Sequence, residues 1–270
     1  MLQDMRLGTC EEMRENDELE DTLKELMSVA NAEIIAKVMK TTGVLESGKL
    51  FTSPTPDGSQ QPLLPAEKRI LDIHICHGAL HISLAAKIKA LAEKHAEEHG
   101  WQTKRHLMHN TTDFSVKDSP VLWSLLEPIM LETVLPTLQR LYFPYAECVM
   151  PDESLALHVA DLFCVKYSAM GQRHLSAHRD GSLLSFSILV NDPSDFRGGG
   201  THFAALNKVV RPTMVGDLVT HSGQLLHSGV ATTDGERWIL VGFVKCPGAN
   251  VRESFVERMH GQESMKDCWL

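Results

Sequence analysis

The chain has 270 residues, 43% of them hydrophobic and 23% charged, and a formal net charge of −9. That is enough apolar material to bury the core of one sizeable domain, and it excludes a wholly disordered chain. Residues 1–40 hold ten acidic and five basic side chains, so most of the net charge sits there, and no Lys/Arg stripe interleaved with aromatics marks a nucleic-acid partner.

From about Asp17 to Lys40, Leu19, Leu23, Leu26, Met27, Ala30, Ile34 and Val38 recur at three- and four-residue steps, with Gly43 as a stop. The spacing predicts an amphipathic helix with an acidic outer face. Phe51 to Pro65 is rich in Pro, Ser and Gly and reads as a linker or surface loop. Ile70 to Cys76 reads as a strand, followed by a helix from about Ala79 to Glu98 that Gly100 terminates. Ser119-Pro120, a cap and a first-turn proline, opens a second helix. Its apolar stretch to Leu141 is interrupted by Glu127, Pro128, Glu132 and Pro136, which argues against a membrane span. Past Leu157, β-rich runs (LHVADLFCVKY, LLSFSILVN, THFAAL, DLVTH, WILVGFV) alternate with turn clusters (GQR, DPSD, RGGG, TTDGE). This texture predicts a β-sandwich or barrel preceded by helices, an α+β fold. The organisation is an N-terminal unit at 1–66, a domain at 67–250 with a β-rich core at about 157–247, and a tail at 251–270. The first thirty residues lack the basic start and apolar run of a secretory signal. The six cysteines (Cys10, Cys76, Cys148, Cys164, Cys246, Cys268) are widely spaced with no C-x-x-C pair, so free thiols are expected, in the cytoplasm or nucleus.

The chemistry concentrates at His178-Arg179-Asp180, His227 and Arg237. On a strand, residues two apart share a face, so His178 and Asp180 can point inward together while Arg179 points out. His227 lies 47 residues after Asp180, far enough for another wall of a barrel to supply it as a third ligand; alone it would read as a packed histidine. Two histidines and a carboxylate leave three metal positions open, the arrangement with which non-haem iron(II) binds an organic acid and oxygen together. By period two Arg237 aligns with Ile239, Val241 and Phe243, and no carboxylate shares that face. A buried guanidinium there needs a carboxylate, from a ligand or from an internal acid. Gly198-Gly199-Gly200 has no Lys-Ser/Thr and no helix after it, so it reads as a close-packed turn near the pocket and not as a phosphate loop. His221 reads as packing or as a neighbour of the metal. His95-Ala96-Glu97-Glu98-His99 matches a zinc-peptidase string but lies at the polar end of a helix. His74, His77 and His81 read as cap or surface groups.

The stretch Leu162 to Pro247, with VKY, HRDGSLLSFSILVN, DFRGGGTHF and HSGQLLHSGVATTDGERWILVGFV in order, resembles iron(II)- and 2-oxoglutarate-dependent dioxygenases of the prolyl 4-hydroxylase and procollagen lysyl hydroxylase type. Arginine at 237 and the THSGQLLH pattern place it nearer the lysyl hydroxylases. The resemblance implies a double-stranded β-helix (jelly-roll) core supported by N-terminal helices. It implies iron held by His178, Asp180 and His227, and 2-oxoglutarate held by Arg237 and Tyr167, with ascorbate as a further cofactor. The implied activity is hydroxylation of a peptide or protein side chain, lysine or proline, with release of succinate and carbon dioxide. Hydroxylation of a small molecule, a binding module without turnover, and a metal-dependent hydrolase, which would not need Arg237, remain alternatives.

Overall fold

A computed structural model describes residues 41–45, 52–54, 60–62, 69–103, 105–106, 111–143 and 157–246. The helix expected at Asp17–Lys40 and the tail at 251–270 lie outside the described residues. The strands are β1 (Thr41–Leu45), β2 (Thr52–Pro54), β3 (Gln60–Pro62), β4 (Ile73–Cys76), β5 (Asp113–Ser115), β6 (His158–Ser168), β7 (Leu175–His178), β8 (Leu184–Leu189), β9 (Phe196–Gly198), β10 (Thr201–Phe203), β11 (Lys208–Val210), β12 (Leu218–Ser222), β13 (His227–Gly229) and β14 (Thr232–Lys245). The helices are α1 (Ile82–His99), α2 (Pro120–Ile129) and α3 (Leu135–Tyr142).

Two antiparallel sheets hold the site between them. The larger runs β1-β4-β12-β8-β14-β6-β5, with β9 pairing onto the start of β14, and the smaller runs β11-β10-β13-β7. Alternation along the strands assigns the faces. On β8, Leu184, Phe186 and Ile188 join Leu162, Cys164 and Leu240 in a core with Leu84, Ala85 and Ile88 of α1 and Leu122, Leu125 and Leu126 of α2. The helices therefore cover the outer face of the larger sheet. Its inner face carries Phe163, Val165, Tyr167, Leu189 and Ile239 at one end, and Ile73 and Val219 pack with Phe203 and Leu225 at the other. Gly242 is required on β14 because a Cβ there would run into the Phe186 ring opposite.

Several expectations shift once the chain is folded. TTDGE is not a turn: β14 runs through it with a bulge between Thr232 and Asp234 as the strand passes from β9 to β6 and β8, and Gly235, at φ 66°, lets it pass close to Asp195 O. The prolines after Pro120 do not break the helix. α2 and α3 are joined through a π-type turn at Met130–Val134, and the continuous segment Pro120–Tyr142 has the length and composition to cross a membrane, with 56% of its most apolar 18-residue window buried. The strand expected at Ile70 begins only at Ile73. Phe51–Pro65 contains the β2–β3 pair, and β1 adds to the larger sheet beside β4.

His74 on β4 is 5% exposed, packs edge-on against Tyr142 at 4.9 Å, and has no hydrogen-bond partner on either ring nitrogen among the described residues. Burial lowers its pKa to about 4. The unfolded chain, with a histidine near 6.5, binds the extra proton first as pH falls, so this group's contribution to stability is full above pH 6.5 and lost by about pH 4. Between pH 7 and 5 His74 should account for about 2 kcal/mol of lost stability. Urea denaturation of His74→Phe should therefore show a smaller acid loss than the unsubstituted protein; identical pH profiles would refute the assignment.

Candidate metal and co-substrate site

His178 and His227 come together because β7 and β13 are neighbours in the smaller sheet, where the two residues are directly paired. The third ligand thus arrives from the adjacent strand of the same sheet, where the 47-residue separation had allowed another wall of a barrel. Asp180 lies two residues beyond the end of β7, so it is not on the strand that the H-x-D spacing implied; its backbone N–H donates to Gly223 O at 2.8 Å, and this turns the carboxylate back toward the histidines. Arg179 points outward and donates from Nε to Gln224 O.

The result is a compact donor set. His178 Nε2 lies 3.4 Å from Asp180 Oδ1, and His227 Nε2 lies 3.6 Å from Asp180 Oδ2. One ligand atom from each of the three residues falls within 4.8 Å of the others. Both rings are oriented alike: each Nδ1 donates to the carbonyl oxygen two residues earlier, Ser176 O and Leu225 O, at 2.8 Å. A carbonyl only accepts, so each Nδ1 carries the proton and each Nε2 faces Asp180 with its lone pair free for a metal. Ser185 Oγ donates to Asp180 Oδ2 at 2.5 Å and is itself 2.8 Å from Ser182 Oγ.

The electrostatics fit a cation. Burial opposes ionisation of Asp180, yet the His178 hydrogen bond and the nearby histidines hold its carboxyl well below the ordinary range. Burial and the neighbouring His221 push His227 down to about 3, leaving a neutral donor. At His178 burial works toward neutrality, but the bond and charge of Asp180 prevail and raise its pKa. A bound divalent ion would take the place of that one proton. His221 packs beside the set, its ring 4.5 Å from that of His227 and 5.0 Å from Phe203, and donates from Nδ1 to Ser222 O.

Arg237 is directly opposite Tyr167 across β14 and β6, with its guanidinium 5.7 Å from the Tyr167 ring. Both are buried, at 2% and 5% exposure. Among the described residues no carboxylate lies within salt-bridge distance of Arg237, and its Nε has no hydrogen-bond partner, so no acid among them meets the guanidinium. Burial, with the charge of Arg211 added, lowers the Arg237 pKa, and burial pushes Tyr167 up to about 12. Gly199, at φ 67°, lies against this arginine: a Cβ would stand 2.8 Å from Arg237 Cδ. Sequence reasoning did not find Ser185 or Arg211, because a lone serine or arginine carries no spacing signal.

Within the other two histidine groups, His74 is buried and is not the cap or surface group expected, while the rest have structural partners. His95 stacks on His99 and Phe114, His77 Nδ1 donates to the buried Asp217, and His81 caps α1 by accepting from Ser83 N. Among the described residues neither group joins another metal-ligating cluster.

No family model matches the chain. It is 37% identical over 86 residues to the multifunctional procollagen lysine hydroxylase and glycosyltransferase of Caenorhabditis elegans, covering 31% of this chain and 12% of that protein. It is 32% identical over 118 residues to procollagen-lysine,2-oxoglutarate 5-dioxygenase 1 of Homo sapiens, 43% of this chain and 15% of that protein. In site and in sequence the chain is similar to the iron(II)- and 2-oxoglutarate-dependent dioxygenases. It spans well under a fifth of these relatives' length. Its fold is also that of a non-heme alpha-ketoglutarate-dependent carbocyclase of nogalamycin biosynthesis, SnoK, with a TM-score of 0.50 at 15% identity over 67% of this chain and 84% of that one.

Proposed function

We propose that the protein is an iron(II)- and 2-oxoglutarate-dependent dioxygenase that hydroxylates a lysine or proline side chain of a peptide or protein. The observation that carries this reading is the pairing, on facing sheets, of a donor set suited to a divalent cation with a buried arginine that meets no carboxylate among the described residues. We read the two sheets as a double-stranded β-helix. His178, Asp180 and His227 hold the iron, which supplies the oxidising chemistry when bound with 2-oxoglutarate and oxygen. Arg237 receives the distal carboxylate of 2-oxoglutarate through its guanidinium fork, with Tyr167 alongside. Ser185 fixes the Asp180 carboxylate, and Leu189, Ile239 and Val241 keep water from the co-substrate. The names of the relatives support a lysyl residue as substrate, and ascorbate is the expected reductant that keeps the iron ferrous.

The test supplies purified protein with iron(II), 2-oxoglutarate and ascorbate, alone and with a library of lysine- and proline-containing peptides. Succinate should form, and mass spectrometry should show a 16-dalton gain on a peptide. No succinate under any condition overturns the enzyme assignment; a modified free metabolite with every peptide unchanged overturns the substrate class.

A further inference from the structure

Beyond the metal, the inner face of β6 and β14 ends in a second group of side chains to which the proposed reaction assigns nothing. Arg105 donates from Nε to Asp113 Oδ1 at 2.6 Å and from both terminal nitrogens to Asp161, at 3.3 and 2.8 Å. Asp113 is fully buried and also accepts from Thr111 Oγ1. The guanidinium lies over the Phe163 ring at 4.8 Å. So fixed, Arg105 also points a terminal nitrogen at His106 Nε2, 3.2 Å away. Arginine only donates, so His106 Nε2 is the acceptor and the ring proton is on Nδ1. The remaining contact of Nε2, to Asp113 Oδ2 at 3.8 Å, is too long for a hydrogen bond, and burial lowers the His106 pKa, so the ring is neutral.

The His106 ring packs on Phe163 at 4.8 Å and on Phe243 at 6.0 Å, and these two phenylalanines meet edge to face at 5.2 Å. Phe243 pairs across the sheet with Ser185, whose hydroxyl holds Asp180, so His106 stands at the metal end of this face. Arg237 lies six residues back along β14, roughly 20 Å at strand spacing. With the co-substrate anchored there, the His106 end is left to the substrate. His106 Nδ1–H has no partner among the described residues. An unspent donor beside an aromatic platform calls for an acceptor, and two carboxylates served by a single arginine make the neighbourhood net negative, which repels an anionic acceptor.

Resting on the dioxygenase reading above, we propose that His106 is a substrate-positioning residue whose Nδ1–H takes a neutral backbone carbonyl of a peptide lying over Phe163 and Phe243. The same geometry selects against a free amino acid, whose carboxylate would meet Asp161 and Asp113. Two variants test it on the 270-residue chain with the best peptide of the lysine and proline library. His106→Phe keeps a ring on the phenylalanines but removes the donor; His106→Asn places an amide N–H near the position of Nδ1. The phenylalanine variant should raise KM for the peptide about tenfold and leave KM for 2-oxoglutarate at its original value, with asparagine recovering most of the loss. Thermal denaturation checks that both fold alike. Peptide KM unchanged in His106→Phe, or equal impairment in both variants, overturns the His106 role while the enzyme reading stands. Succinate formed with free lysine or proline oxidised and no peptide modified overturns this proposal but keeps the enzyme assignment; no succinate at all overturns both.

Discussion

Alanine at His178 or Asp180 should leave no detectable iron-dependent succinate formation. Each removes one of only three protein donors, and the remaining pair would have to hold a cation with four positions given to water or co-substrate. Asp180→Ala carries the added loss of the one anion in the set, leaving two histidines whose Nε2 atoms have no carboxylate between them. Ser185→Ala is the graded companion. It removes the hydroxyl that orients Asp180 but no ligand, so it should cost roughly 10–100-fold in iron affinity or activity. Iron titrations followed by succinate yield read all three proteins. Full iron-dependent turnover in either alanine variant would sink the ligand assignment.

Arg237→Leu should weaken the apparent affinity for 2-oxoglutarate by roughly tens to thousands of fold. Removing one partner of a buried, hydrogen-bonded charge pair costs about 2–5 kcal/mol, and every 1.4 kcal/mol is about tenfold. Arg237→Lys should be milder, because it keeps the charge and loses only the two-pronged grip. Gly199→Ala should act in the same direction without touching the arginine itself, since its methyl would displace Arg237 Cδ and its backbone would be held at a strained positive φ. The readout is KM for 2-oxoglutarate at saturating iron. Unchanged 2-oxoglutarate dependence in the leucine variant would rule out the anchor and return the buried arginine to a packing role.

The residue types that carry the chemistry were legible in the chain because their constraints are local or compositional. H-x-D is a short motif, and an arginine in phase with Ile239, Val241 and Phe243 is an anomaly that period-two alternation exposes without any structure. The helix stops at Gly100 and starts at Ser119-Pro120 were equally local, because caps and first-turn prolines act within one turn. Folding decided what depends on which strands become neighbours. Nothing in the spacing of His178 and His227 says that β7 and β13 pair, since their contact is made across a chain separation that holds β8 to β12. That a glycine at position 199 leaves room for Arg237 was likewise visible only in the packing, as a Cβ there conflicts with a side chain 38 positions away. The TTDGE cluster shows the same limit from the other side. Glycine and aspartate permit a turn, but β14 continues through them, pairing with β9 and then β6, and the freedom of Gly235 serves a close approach to Asp195 O. Local preference determined which conformations were available to each residue, and long-range hydrogen bonding and burial determined which of them the fold keeps.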